Sequence, residues 1–252
     1  MIDDRKIDQI QIIEELSLNA LPCLQQILYD GWILRFAQGY TKRANSVTPL
    51  YTSSLNSETK IQRCEDIYRS FALKPIFRLT NSPQLQALDE TLDSLGYQKQ
   101  DTVSVRVKAI EDRTTANSLV TLNPEISQEW LDQYVHAVET PIQHWNTLST
   151  MLEIIPNPTC YSLLHDRSRF CSCGLGVLEN NYLGLFFVAT AKRQQGKGYA
   201  GKLISAMLHW GKNHGATQAY IQVETKNQRA INLYNKLGFA EVYQYFYRIK
   251  SE

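Results

Sequence analysis

The sequence predicts a mixed α/β protein: a twisted mixed sheet flanked by helices, preceded by a smaller half of similar design. Three observations carry this. Between residues 183 and 250 an apolar run, a Gly-rich polar turn, a helical period, a second apolar run, a capped helix and an alternating aromatic run follow one another. Residues 45–107 repeat much of that order. An offset of 142 residues lays Leu95-Gly96-Tyr97 over Leu237-Gly238-Phe239, and Arg106 and Lys108 over Arg248 and Lys250. We read this as an internal duplication.

In chain order, residues 45–51 read as a strand. Ile61, Cys64, Tyr68 and Phe71 fall on one face of a helix, and residues 75–80 form a second strand. Ser82 and Pro83 supply an N-cap and an N1 proline for a helix that ends at Leu95-Gly96. Val103, Val105 and Val107 alternate with Thr102, Ser104 and Arg106, the pattern of a half-buried strand. The join falls in residues 110–127, where 111–117 are polar, and divides the chain into 1–112 and 116–252. Beyond it, Ile126, Trp130, Tyr134 and Val138 line one helix. Ile142, Trp145, Leu148, Leu152 and Ile155 line another, stopped by Pro156 and Pro158, with Trp130 and Trp145 as core anchors. Residues 160–164 and 169–178 pair as strands, and 183–190 is a third. From Tyr199, Leu203, Ile204, Met207 and Leu208 recur at helical spacing. Tyr220, Ile221 and Val223 make a strand ending at Glu224. Asn227 is a good N-cap, Ala230, Ile231 and Tyr234 form a helix face, and Gly238 suits a left-handed C′ position. Residues 242–249 close the chain as a strand.

Composition narrows the function. The 252 residues carry 26 Lys+Arg against 25 Asp+Glu, which speaks against a nucleic-acid-coating or polybasic membrane-surface protein. Hydrophobic residues at 43% supply a core, while 12 Gly and 8 Pro exclude low-complexity classes. No apolar run is long enough to span a bilayer, and the start has no signal-peptide core, so a cytoplasmic protein is expected. The five cysteines lack a C-x-x-C spacing and read as reduced thiols, with Cys171 and Cys173 sharing one strand face. No metal site is expected.

The chemistry concentrates in Arg193-Gln194-Gln195-Gly196-Lys197-Gly198, which follows a strand and opens a helix. Successive N–H groups at such a turn cradle phosphate oxygens. Gly196 and Gly198 allow positive φ and close approach, and Arg193 and Lys197 add charge. The Walker spacing is absent.

Downstream stands Asn227-x-x-Ala230-x-x-Leu233-Tyr234-x-Lys236-x-Gly238-Phe239. Together, the R/Q-x-x-G-x-G/A turn and this helix resemble the GNAT superfamily of N-acetyltransferases over residues 116–252, with Thr190 where many members have proline. The stretch 31–46, with Gly31, Trp32, Arg35, Gly39, Thr41, Arg43, Ala44, Asn45 and Ser46, is similar to that of a two-part bacterial subgroup. The resemblance implies a sheet whose strands 183–190 and 218–224 splay apart to admit acetyl-CoA. Its site residues would be Phe187, Val188, Arg193, Gln194, Gln195, Gly196, Lys197, Gly198, Tyr199, Asn227 and Tyr234. Tyr234 matches the tyrosine that protonates the departing thiolate, although the position also suits a core aromatic. Glu224 is the candidate base: some members carry glutamate at the position of Gln222, and Glu224 lies two residues on, pointing to the same face. It also suits a helix-capping role.

In the N-terminal half, Thr52-Ser53-Ser54-Leu55-Asn56-Ser57 has neither glycine nor cation, and Leu92 stands where Tyr234 does, so this half reads as degenerate. The expected activity is acetyl-CoA-dependent transfer to a primary amine on a small molecule or peptide, by direct attack. A non-catalytic acyl-CoA-binding regulator, a tRNA-dependent aminoacyl transferase of tandem fold and a ligand-free interaction module stay open as alternatives.

Overall fold

Eleven strands and seven α-helices account for most of the residues that the computed structural model describes, 4–111 and 116–250. In order they are α1 (Asp4–Ala20), β1 (Gln25–Tyr29), β2 (Trp32–Phe36), β3 (Val47–Pro49), α2 (Ser57–Ser70), β4 (Ile76–Thr80), α3 (Gln86–Ser94) and β5 (Tyr97–Ala109). There follow β6 (Val120–Asn123), α4 (Gln128–Ala137), α5 (Trp145–Glu153), β7 (Thr159–Asp166), β8 (Arg169–Glu179) and β9 (Tyr182–Thr190). The chain closes with α6 (Tyr199–Asn213), β10 (Gln218–Glu224), α7 (Gln228–Lys236) and β11 (Ala240–Lys250). All strands join one mixed sheet in the order β1-β2-β3-β4-β11-β5-β10-β9-β8-β7-β6.

A parallel pair occurs twice, β3 with β4 and β9 with β10, each bridged by one helix as parallel strands require. The strand after each following helix then crosses to the other side. β5 pairs with β10, β11 pairs with β4, and the two lie side by side in the middle of the sheet. Their basic residues close the exchange. Arg106 on β5 donates to the Phe239 carbonyl at 3.1 Å and Lys108 to that of Leu237 at 2.8 Å, while Arg248 on β11 donates to the Tyr97 carbonyl at 2.8 Å. These cations meet the C-terminal ends of α7 and α3, where free carbonyls and the helix dipole favour them. The offset of 142 residues carries Ser57 of α2 onto Tyr199 of α6, and 86–94 of α3 onto 228–236 of α7.

One face of the C-terminal part of the sheet packs Trp130, Leu163, Leu175, Phe186, Tyr220 and Tyr245 beneath α1, α4 and α5. On the opposite face Leu203, Ile204 and Met207 of α6 cover Leu164, Leu185 and Ile221. A third cluster holds Trp32, Tyr68, Phe77, Leu92 and Tyr97.

Several expectations change on this frame. The strand expected at 45–51 shrinks to three residues because Asn45 turns inward to hold a loop. β5 is buried on both faces, Ser104 and Arg106 included, since it lies between β10 and β11. Cys171 and Cys173 do not share a face. A bulge between Leu164 and His165 in the β7–β8 pairing sends Cys171 under α6 and Cys173 to the other side. Ser82 gives α3 no side-chain cap, Phe71, Val138 and Ile142 end up exposed, and Trp145 is only partly buried. The expected join at 110–127 holds strand β6, and its residues 112–115 lie outside the described ones. Helix α1 escapes the periodic reading because its buried face includes Glu14 and Ser17. Glu14 is satisfied there by Arg78 at 2.9 Å and by the Tyr243 hydroxyl at 2.5 Å. No helix among the described residues is long and apolar enough to cross a membrane.

Candidate functional site

β9 and β10 hydrogen-bond as parallel neighbours only as far as Leu185 opposite Ile221; beyond that they part. The cause lies on the other edge of β9. Its pairing with β8 shifts between Cys173 and Leu175, and Phe187 takes φ 53°, the left-handed region that a bulky residue rarely enters. Phe187 and Val188 then have no ladder partner on β8 and none on β10. The Phe187 ring packs at 5.1 Å on Tyr134 and 6.2 Å on Trp130, on the face away from α6.

At the end of β9 the chain turns into α6. Gly196 and Gly198 have φ 83° and 82°, and Gly198 is the N-cap. Among the described residues no backbone or side-chain acceptor takes the N–H groups of residues 195–201. With the first turn of α6 they make an anion-favouring helix N-terminus. The side chains around them organise the turn. Buried Gln194 accepts from Lys197 Nζ at 2.9 Å, Gln195 accepts from Arg229 Nη1 at 2.7 Å, and the Tyr199 hydroxyl donates to Asp166 at 2.6 Å. Arg193, Lys197 and Arg229 have no acidic partner among the described residues.

Asn227 caps α7, accepting from the Ala230 N–H at 3.1 Å. That helix carries Tyr234 to the same opening. Tyr234 is 7% exposed, its hydroxyl has no protein partner among the described residues, and burial pushes its pKa up to about 12. A buried phenol held neutral at pH 7 has a proton to give.

These elements enclose a cavity of about 380 Å³. Of the residues expected at the site, Val188, Gln194, Gln195, Gly196, Gly198, Tyr199, Asn227 and Tyr234 line it, while Phe187, Arg193, Lys197 and Glu224 do not. Glu224 is exposed at the end of β10, and its carbonyl accepts from the Asn227 N–H at 2.9 Å. Gln222 is fully engaged: Nε2 donates to Ser17 at 2.8 Å, and Oε1 accepts from Tyr245 at 3.1 Å. Sequence reasoning missed Arg229. Its signal was an electrostatic mismatch, since a cation in the first turn of a helix opposes the dipole unless an anion joins it. The described residues contain no group of His, Cys, Asp or Glu able to hold a metal ion.

Comparison with known proteins covers nearly the whole chain. A family model described as probable histone acetyltransferase Rv0428c C-terminal matches residues 8–157 and 172–248. The uncharacterized N-acetyltransferase YobR of Bacillus subtilis (strain 168) is 30% identical over 250 residues, 97% of this chain and 100% of that protein. The probable histone acetyltransferase Rv0428c of Mycobacterium tuberculosis is 26% identical over 222 residues, 85% of this chain and 66% of that protein. Two solved structures share the fold. A GCN5-related N-acetyltransferase from Kribbella flavida superposes at TM-score 0.72 with 11% identity, over 96% of this chain and 95% of that one. A tandem GNAT protein from the clavulanic acid biosynthesis pathway superposes at TM-score 0.63 with 10% identity, over 98% and 95%.

Proposed function

The chain belongs to the Rv0428c C-terminal acetyltransferase family, within the GNAT superfamily of N-acetyltransferases, and from that premise we propose that it moves an acetyl group from acetyl-CoA to a primary amine by direct attack. The observation that carries the reading is the strand gap itself: β9 and β10 part after Leu185 and Ile221, beside a turn whose N–H groups lack acceptors. The residues present fit the co-substrate. The N–H groups of 195–201, with Arg193, Lys197 and Arg229 nearby, suit a pyrophosphate. The unpaired backbone at Val188 suits an amide-bearing pantetheine chain.

In the transfer step the amine nitrogen bonds to the acetyl carbon, the carbon–sulfur bond breaks, and Tyr234 gives its phenolic proton to the sulfur. The proton shed by the amine passes through water to Glu224, whose side chain shares the Gln222 face of β10. Gln222 cannot take it, having no basic lone pair. No cysteine lines the cavity, which favours direct attack over a thioester on the protein. The acceptor is a small-molecule or peptide amine. The test is acetyl-CoA-dependent thiol release across an amine panel, with calorimetry of acetyl-CoA in parallel. Binding without release on any amine would point instead to a non-catalytic acyl-CoA-binding protein.

A further inference from the structure

One motif of the sequence has no part in the cavity just described: the run from Gly31 to Ser46. Its buried polar residues build a loop. Asn45, 4% exposed, accepts from the N–H groups of Ala37 and Gly39 at 2.8 and 3.0 Å and donates to the carbonyls of Tyr40 and Thr41 at 2.6 and 3.0 Å. Arg35, 2% exposed, donates to the carbonyls of Arg43, Leu18 and Leu21. Within the loop Gln38, Gly39 and Thr41 have φ 50°, 75° and 53°. Non-glycine residues hold such conformations only where their surroundings over-determine them, and that pattern clusters at functional sites.

The loop delivers its side chains to the mouth of the strand gap, on the face opposite α6. Arg43 Nη1 lies 3.4 Å from Oε1 of Gln222, the first β10 residue past the last pair with β9. Tyr40 and Tyr134 pack against the same core cluster close by, with Phe187 edge-on to Tyr134. Burial pushes the phenols of Tyr40, Tyr134, Tyr220 and Tyr247 up, and the charge of Arg43 works against each rise. Charged side chains gather at this end of β10. Lys42 and Lys226 both close on Asp101, and Glu224 acts on Lys226. Lys42 and Lys226 thus each have a carboxylate beside them. Among the described residues the Arg43 side chain has no carboxylate partner, and its hydrogen bond goes to a neutral amide.

A half-buried guanidinium among aromatic rings, lacking an anion, is incomplete as it stands. Its planar fork matches a carboxylate bidentately. We propose that Arg43 binds a carboxylate on the acceptor, so that the molecule acetylated carries a primary amine and a carboxylate together, as an amino acid does. The N-terminal half would thereby contribute a specificity residue to a site whose co-substrate cleft belongs to the C-terminal half. The inference rests on the acetyl-transfer reading above.

The test uses the full chain loaded with CoA and a matched panel: the proteinogenic amino acids, their amides, their decarboxylated amines and amine-bearing phosphate monoesters. Turnover with acetyl-CoA should favour the carboxylated members at least tenfold. Arg43→Gln should raise KM for them tenfold or more with acetyl-CoA affinity unchanged, and Arg43→Lys should recover part of the loss. Thermal shift of the CoA-loaded protein by the same compounds keeps the question answerable if no amine turns over. Stabilisation by an amino acid that vanishes in Arg43→Gln supports the carboxylate site even then, although it would sink the catalytic reading. Equal rates or shifts with and without the carboxylate, a preference for the phosphate esters, or an Arg43→Gln protein that behaves as the parent would each overturn it.

Discussion

Two strand-to-helix turns, 142 residues apart, face the same electrostatic problem and solve it differently. Before α2, the N–H groups of Ser54 and Leu55 point at a carboxylate from the chain itself: Asp30 accepts from Ser54 at 3.0 Å and Leu55 at 2.9 Å, and from the Ser54 hydroxyl at 2.7 Å. Lys60, fully buried, pairs with Asp30 at 3.1 Å and lies over the Trp32 ring at 4.0 Å. Before α6, the positions in register are Gly196 and Lys197, and no described residue accepts from their backbone N–H groups. A helix N-terminus favours an anion in either case. One half supplies its own; in the other no group of the described residues takes that place. Volume does not decide the matter, since the cavity between β3, α1 and α3, at about 580 Å³, is larger than the one beside Tyr234.

The sharpest way to break this contrast is at the ends of the equivalent strands β10 and β4, where Glu224 and Ser82 correspond. Glu224→Gln keeps shape and loses basicity. It should lower turnover roughly 10²–10⁴-fold and remove the acidic limb of the pH–rate profile. A limb that persists would show another group, or an already neutral amine, at work. Next comes the pair Tyr234 and Leu92. Tyr234→Phe should cut turnover roughly 10²-fold while CoA affinity, by calorimetry, stays within a few-fold. Parental turnover in this variant would mean that the thiolate takes its proton elsewhere.

At the turns themselves, Gly196→Val forces a branched residue into φ 83° and should weaken CoA binding about tenfold, ~1.4 kcal/mol, in a protein whose circular dichroism is unchanged. Ser54→Gly at the equivalent position should leave CoA binding alone. Asp30→Asn tests the internal anion. The bonds from Leu55 and Ser54 hold the Asp30 carboxyl well below its ordinary value. Its stabilising contribution is therefore present above the unfolded value of about 3.9 and lost as pH falls below it. Urea midpoints followed downward from pH 5 should drop more steeply for the parent than for Asp30→Asn, which starts lower. The smallest effect expected is none at all: parent and Asp30→Asn should each bind one CoA per chain, and two equivalent sites would undo the comparison.

Much of the site was legible because its parts are local. The Gly196 and Gly198 turn, the Asn227 cap and the spacing to Tyr234 lie within single elements, and the structure brings them to one cavity. Phe187, expected among the cavity residues, does not line it: it takes φ 53° where β9 leaves β10, and its ring packs on Tyr134 and Trp130. The N-terminal half was harder to read. Helix α1 hides a buried carboxylate on its inner face, and strands β1 and β2 carry no clean alternation, because β2 is buried throughout and β1 is mostly exposed.

What the sequence determined by itself are the features set by neighbours a few residues apart: helix periods, caps, left-handed turns, and the recurrence of the same elements after 142 residues. Such features follow from steric and hydrogen-bonding rules that act along the chain. Tertiary structure alone decided which half each closing strand joins, that Asp30 fills one anion site, and that Arg43 stands beside Gln222, 179 positions away. An ion pair or a strand exchange depends on which surfaces packing brings together, and no local pattern encodes a partner at that distance. The same turn chemistry therefore became a closed structural joint in one half and an open cleft in the other.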